Sequence, residues 1–201
     1  MTKKMIIATK NIGKVKEFEA LFFPYDVKVL SLLDLEDLPD IEETGSTFEE
    51  NAVLKAEGIA RLTGTVVIAD DSGLIIDELD GSPGIFSARY AGTDKDDNAN
   101  IDKVLMEMKD VPEDKRTARF YCALAFAIPG VRTEVVAGKC EGKILGEREG
   151  VNGFGYDPIF YVDVAGKSMA EILPTEKNRI SHRSLALKKL EPLVADYFKK
   201  R

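Results

Sequence analysis

The chain has no tryptophan, one histidine and two cysteines among its 201 residues. Cys122 and Cys140 stand far apart and lack metal-type spacing, which argues against a thiolate metal centre and against a disulfide framework. Each reads as a small core or strand residue, and a reducing cytoplasm is the expected compartment. With His182 alone and no serine nucleophile close to it, a Ser–His–Asp triad is not on offer. No apolar run approaches the roughly 20 residues of a membrane helix. The N-terminus also lacks the apolar region and small-residue cleavage site of a secretory signal, so neither membrane nor export is expected. Basic residues are in the minority: 28 Lys and Arg face 35 Asp and Glu, a net charge of −7. That balance argues against non-specific binding of nucleic acid. A small polyanion is still compatible, because a few Lys and Arg can reverse the sign of the potential locally.

The composition, 44% hydrophobic and 31% charged, is that of a soluble globular protein of one sizeable domain, 1–201, with room for two lobes sharing a sheet. Lys4–Ala8 reads as a short buried strand, followed by the polar loop Thr9-Lys10-Asn11-Ile12-Gly13-Lys14 and a helix presenting Val15, Phe18, Leu21 and Phe22. Thr9 or Asn11 can cap that helix, whose free N–H groups make an anion site. Val27–Leu30 is a second strand. Thr47-Phe48-Glu49-Glu50 is a capping box opening a helix to about Leu62, with Phe48, Ala52, Ala56 and Ile59 on its apolar side. Val66-Val67-Ile68 then reads as a buried strand that ends in Ala69-Asp70-Asp71-Ser72-Gly73. Beyond it come a helix over Asp97–Met108, strands over Ala118–Ile128, Thr133–Lys139 and Ile159–Val162, and a last helix from Ser181 that Pro192 should kink or interrupt. Alternating strands and helices with one long strand pair predict an α/β fold with a mixed sheet.

Five groups of residues carry chemistry. Two adjacent carboxylates at a strand end suit a hard cation such as Mg²⁺, and one of them can be a general base. Because successive strand side chains point to opposite faces, only one of Asp70 and Asp71 is expected to lead. The Asp-x-Asp pair of an aspartyl-phosphate phosphatase is not supplied by adjacent aspartates. Thr9–Lys14 is not a Walker A loop, since Val15 follows Lys14, but it places Lys10 and Lys14 near a helix N-terminus. Glu42-Glu43 precedes a turn, and Asn51 and Lys55, four apart on the next helix, share a face. Gly153-Phe154-Gly155-Tyr156-Asp157-Pro158 combines backbone freedom with a ring suited to stacking on a purine. Lys177, His182 and Arg183 gather donors just before the last helix.

Taken in order, Thr9–Lys14, Glu42–Gly45, Phe48–Ala52, Ala69–Gly73, Pro83–Tyr90, Gly153–Pro158 and Ser181–Arg183 resemble the inosine/xanthosine triphosphate pyrophosphatase family over nearly the whole chain. Lys10 is a departure, because glycine is common there in bacterial members. The resemblance implies an elongated mixed sheet flanked by helices, in two lobes around a central active-site cleft, and a homodimer. It implies Mg²⁺-dependent hydrolysis of ITP, dITP and XTP to the monophosphate and pyrophosphate, which would remove deaminated purines from the nucleotide pool. Asp71 would be the proton acceptor, with Glu42 and Asp71 holding metal. Thr9, Lys10, Asn11, Ile12, Gly13, Lys14, Ser72, Phe154, Gly155, Tyr156, Asp157, Lys177, His182 and Arg183 would surround the nucleotide. No nucleic-acid or membrane partner is implied.

Overall fold

A computed structural model describes residues 3–25, 27–35 and 38–199; the side chains of Glu17, Ala20 and Leu21, the last read above as part of an apolar helix face, lie outside that description. Its strands are β1 (Lys3–Ile7), β2 (Val27–Ser31), β3 (Val67–Ile76), β4 (Thr117–Ala127), β5 (Glu134–Ile144), β6 (Phe160–Val162) and β7 (Lys167–Ser168). They form one sheet in the order β2-β1-β3-β4-β5-β6-β7. β1 is parallel to β2 and to β3, whereas β6 is antiparallel to both β5 and β7, so the sheet is mixed as expected. The helices are α1 (Ile12–Phe22), α2 (Phe48–Thr63), α3 (Asp97–Glu107), α4 (Pro174–Ile180) and α5 (His182–Lys199). Among the described residues no helix is long and apolar enough to cross a membrane.

The chain divides into two compact units. The first comprises Met1–Asp71, Ala123–Ala137 and Ala186–Arg201, and the second Ser72–Cys122 and Gly138–Leu185. In the first, β1 buries Met5, Ile6 and Ile7, and α1 buries Phe18 and Phe22, whose rings stack at 6.4 Å. The apolar face of α2 is the one its spacing predicts: Phe48, Ala52, Ala56 and Ile59 are all buried. Thr47 Oγ1 caps that helix by accepting from the Glu50 N–H, and the Glu50 carboxylate accepts chiefly from Ser46 N–H and O–H.

In the second unit, Leu74, Ile76, Ile101, Val104, Met108, Phe120 and Phe160 share a core. At its edge lies a buried arginine with no carboxylate partner among the described residues. Arg116 instead donates to four carbonyls, those of Met108, Val111, Ile144 and Leu145, at 2.9–3.2 Å. Both cysteines are buried and neither forms a disulfide, Cys122 in β4 and Cys140 in β5.

Two sequence expectations need correction, and two short elements went unpredicted. β3 does not end at the acidic motif; it continues through Asp70-Asp71-Ser72-Gly73 to Ile76, because Leu74-Ile75-Ile76 resumes the apolar β pattern and overrides the turn preference of Ser and Gly. Pro192 does not interrupt α5; the one backbone bond it removes is outweighed by burial of Ala186, Leu190, Val194 and Phe198 on the same helix. β7 and α4, two and seven residues long, are too short to leave a periodic signal.

The Arg116 bonds set a stability expectation. Arg116→Met keeps the apolar stem and removes every donor, so it should cost roughly 2–4 kcal/mol. A lowered midpoint in urea at unchanged m-value is the expected reading.

Candidate active site

The loop after β1 is shaped by short polar bonds. Thr9 Oγ1 accepts from the Asn11 N–H at 3.1 Å, and Asn11 Oδ1 accepts from the Lys14 N–H at 3.2 Å, capping α1. A Cβ on Gly13 would lie 3.1 Å from Asn11 Oδ1, so the cap leaves no slack for a larger residue there. The first-turn N–H groups of Ile12 and Gly13 point out of the helix end, where the dipole favours an anion. From the same turn Lys14 reaches Asp70, Nζ to Oδ2 at 2.5 Å.

Asp70 and Asp71 are both buried, at 3% and 8% exposure. Strand alternation gives them separate partners. Asp71 Oδ2 accepts from Asn51 Nδ2 at 3.2 Å, and Asn51 Oδ1 in turn accepts from the Gly45 N–H at 2.8 Å. The amide thereby ties the coil before α2 to β3, and a Cβ on Gly45 would come within 2.7 Å of Asn51 Oδ1. One turn further along α2, Lys55 Nζ lies 2.6 Å from the Asp70 carbonyl, 3.1 Å from Glu43 Oε1 and 3.7 Å from Asp71 Oδ1.

Burial raises the Asp71 carboxyl to about 6, with Glu43 and Asp70 pushing the same way and Lys55 and the Asn51 bond opposing. Burial pulls Lys55 down, but Asp70, Asp71 and Glu43 outweigh it and hold the ammonium above its ordinary value. The result is a carboxylate poised near neutrality and a lysine that stays charged.

In the second unit, Gly153 has φ +83° and a Cβ there would collide with Asp157 Oδ2 at 1.9 Å. Buried Asp157 accepts from the Phe154 N–H at 3.0 Å and from Lys177 Nζ. Phe154 is 53% exposed, with Lys177 Nζ 5.2 Å from its ring centre. The neighbouring Tyr156 points inward and donates to the Ser87 carbonyl at 2.7 Å. His182 opens α5, buried and stacked on Phe120 at 5.0 Å, while Arg183 Nη2 reaches Ser72 Oγ at 3.3 Å.

A model of the Ham1 family matches residues 5–193. The chain belongs to the Ham1 family. It is 57% identical over 198 residues to the dITP/XTP pyrophosphatase of Bacillus cereus, covering 98% of this chain and 97% of that one. With the dITP/XTP pyrophosphatase of Geobacillus kaustophilus it shares 59% over 189 residues, 94% of this chain and 93% of the other. The solved structure of the Staphylococcus aureus Ham1 protein superposes with a TM-score of 0.90 at 44% identity, covering 97% of this chain and all of that one.

In this Ham1 chain, Thr9, Asn11, Gly13 and Lys14 fall at the capped helix end, and Lys14 joins Asp70 through a buried ion pair. Lys10 and Ile12 turn away: Lys10 pairs at 2.7 Å with exposed Asp40, and Ile12 is 61% exposed. Glu42, expected as a metal ligand, is exposed, and it is Glu43 that reaches Lys55 beside Asp71. Tyr156 has its hydroxyl and ring committed to the interior, and its carbonyl accepts from the Ile159 N–H at 3.0 Å.

The raised Asp71 carboxyl has a consequence for stability. The folded protein holds this proton more tightly than the unfolded chain, so Asp71 favours the fold fully below about pH 4, and that contribution is lost as pH rises to about 6. The loss is roughly 3 kcal/mol for a shift of about two pH units. Asp71→Asn should therefore raise the thermal midpoint of the metal-free protein at pH 7.5, with the difference vanishing near pH 4.

Proposed function

We propose that this chain is a Mg²⁺-dependent pyrophosphohydrolase that converts dITP, ITP and XTP to the monophosphate and pyrophosphate, clearing deaminated purines from the nucleotide pool. The observation that carries this reading is a buried carboxylate, Asp71, held among Glu43, Asn51 and Lys55 and raised by burial to about 6 in the metal-free protein, with a second lysine at a helix N-terminus on the adjacent Asp70. A base near neutral pH next to fixed positive charge suits hydrolysis of a polyanion. The dITP/XTP pyrophosphatases that share 57–59% identity support the substrate class. A cytoplasmic homodimer belongs to the same reading.

The donor chemistry fits Mg²⁺. Glu43 and Asp71 offer carboxylate oxygens, and among the described residues no preassembled group of three or more His, Cys, Asp or Glu ligands occurs. Mg²⁺ needs only one or two carboxylates, because water and substrate phosphates complete its shell. When bound, it would offset the phosphate charge and ease departure of pyrophosphate.

The protein's own groups do the rest. Lys14 and the N–H groups of Ile12 and Gly13 would hold phosphate oxygens. Asp71 would take the proton of a water attacking the α-phosphorus, and the bond from that phosphorus to the bridging oxygen would break to release pyrophosphate. In the second unit, the exposed face of Phe154 would stack on the purine. Donors from His182 and Arg183 would suit the O6 acceptor of hypoxanthine or xanthine. Adenine presents an amino group there, and each buried donor left facing it costs ~1–3 kcal/mol.

Product analysis decides the reaction. With Mg²⁺ and dITP, pyrophosphate and dIMP should appear in equal amounts; stepwise orthophosphate would defeat the reading. Asp71→Asn should lower kcat by about 10²–10⁴-fold, the range for loss of a general base.

Comparing Glu43→Gln with Glu42→Gln tests which carboxylate matters. The former should cut kcat/KM by roughly 100-fold and the latter by less than about threefold. Equal effects, or the reverse order, would remove Glu43 from the site.

A further inference from the structure

Asp70 is the buried acid that the proposed chemistry leaves without a task. Its side chain is 1% exposed, and a carboxylate at that depth needs a counter-charge. It has one: Lys14 Nζ sits 2.5 Å from Oδ2, while the Lys14 side chain keeps 18% exposure. The main-chain oxygen of the same residue accepts from Lys55 Nζ at 2.6 Å. Asp70 therefore touches both lysines of the cluster, one through its carboxylate and one through its carbonyl.

We infer that Asp70 is a positioning residue that holds the Lys14 ammonium beside the N-terminus of α1, ready to bridge to a phosphate. This rests on the phosphate-binding part of the proposed function. An ammonium has three N–H donors; one is directed at Asp70 Oδ2 and two remain for a ligand. A free lysine side chain would lose rotamer entropy on reaching a phosphate, and a lysine already anchored has lost it before the substrate arrives. The anchoring charge does not repel the substrate, because Lys14 covers it. Asp71 cannot do this task, since its carboxylate faces Asn51 and Lys55 on the other side of the strand. The two aspartates thus divide the work, with Asp71 on the proton and Asp70 on the lysine.

A double-mutant cycle over Asp70→Asn, Lys14→Met and the pair tests this. Asp70→Asn should raise KM for Mg·dITP about tenfold or more with kcat changed less than about threefold, and in the Lys14→Met background it should shift KM less than about threefold. A fall in kcat at constant KM, or an equal KM effect in both backgrounds, overturns the inference. Thermal midpoints give a reading independent of turnover. Lys14→Met removes the ammonium paired with a buried carboxylate and should lower the midpoint, and adding Asp70→Asn should raise it again; a second drop would also overturn the pairing. Should the wild type turn over no nucleoside triphosphate, the proposed reaction fails on its own. The same cycle can then be read by calorimetric binding of inorganic tripolyphosphate, where Asp70→Asn should weaken binding only while Lys14 is present. Unchanged binding would count against Asp70.

Discussion

Two buried carboxylates on consecutive residues in mid-strand form the constraint around which the first unit is arranged. Each requires a cation, and strand alternation turns the two carboxylates to different neighbours. Two lysines meet them from two different directions. Lys14 comes from the first turn of α1 and Lys55 from the second turn of α2. The polar loop after β1, its Asn11 cap and the close approach at Gly13 all place the first lysine. The Asn51 amide and the close approach at Gly45 bring the coil with Glu43 to the second. Buried ion pairs add little net stability over apolar residues of equal volume, so their presence here reflects chemistry more than folding.

Much of this was legible in the residues themselves. Helix faces followed from spacing, Thr47 was readable as a cap and the α1 cap was narrowed to Thr9 or Asn11, and alternation alone separated Asp70 from Asp71. The continuation of β3 was not, because Asp, Ser and Gly have strong local turn preferences and only the pairing of the strand overrides them. Nor could spacing choose between Glu42 and Glu43 in a coil segment of no fixed period. The inward turn of Tyr156 was hidden for a similar reason: a loop aromatic can face a ligand or the core, and the Ser87 carbonyl that receives its hydroxyl is far away in sequence.

The glycine loop of the second unit sorts residues that the family resemblance had grouped together. Asp157 is buried and bonded on two sides, so its charge orients Phe154 and Lys177. Phe154 is left as the exposed ring, with an ammonium beside it. The requirement for glycine at 153 is steric twice over, through its positive φ and through the carboxylate packed where a Cβ would stand.

The depth of the Lys14–Asp70 pair bears on how the molecule meets salt. The exposed pair of Lys10 and Asp40, with 59% and 85% of those side chains in water, lies in the range where dissolved ions screen charge over about 8 Å at physiological strength. Lys14 and Asp70, at 18% and 1%, are largely withdrawn from that screening. Raising the ionic strength would weaken long-range attraction between the protein and a polyanion while leaving this pair at the helix end intact. Electrolyte would then govern how often a polyanion arrives, and the buried aspartate would still govern how it is received.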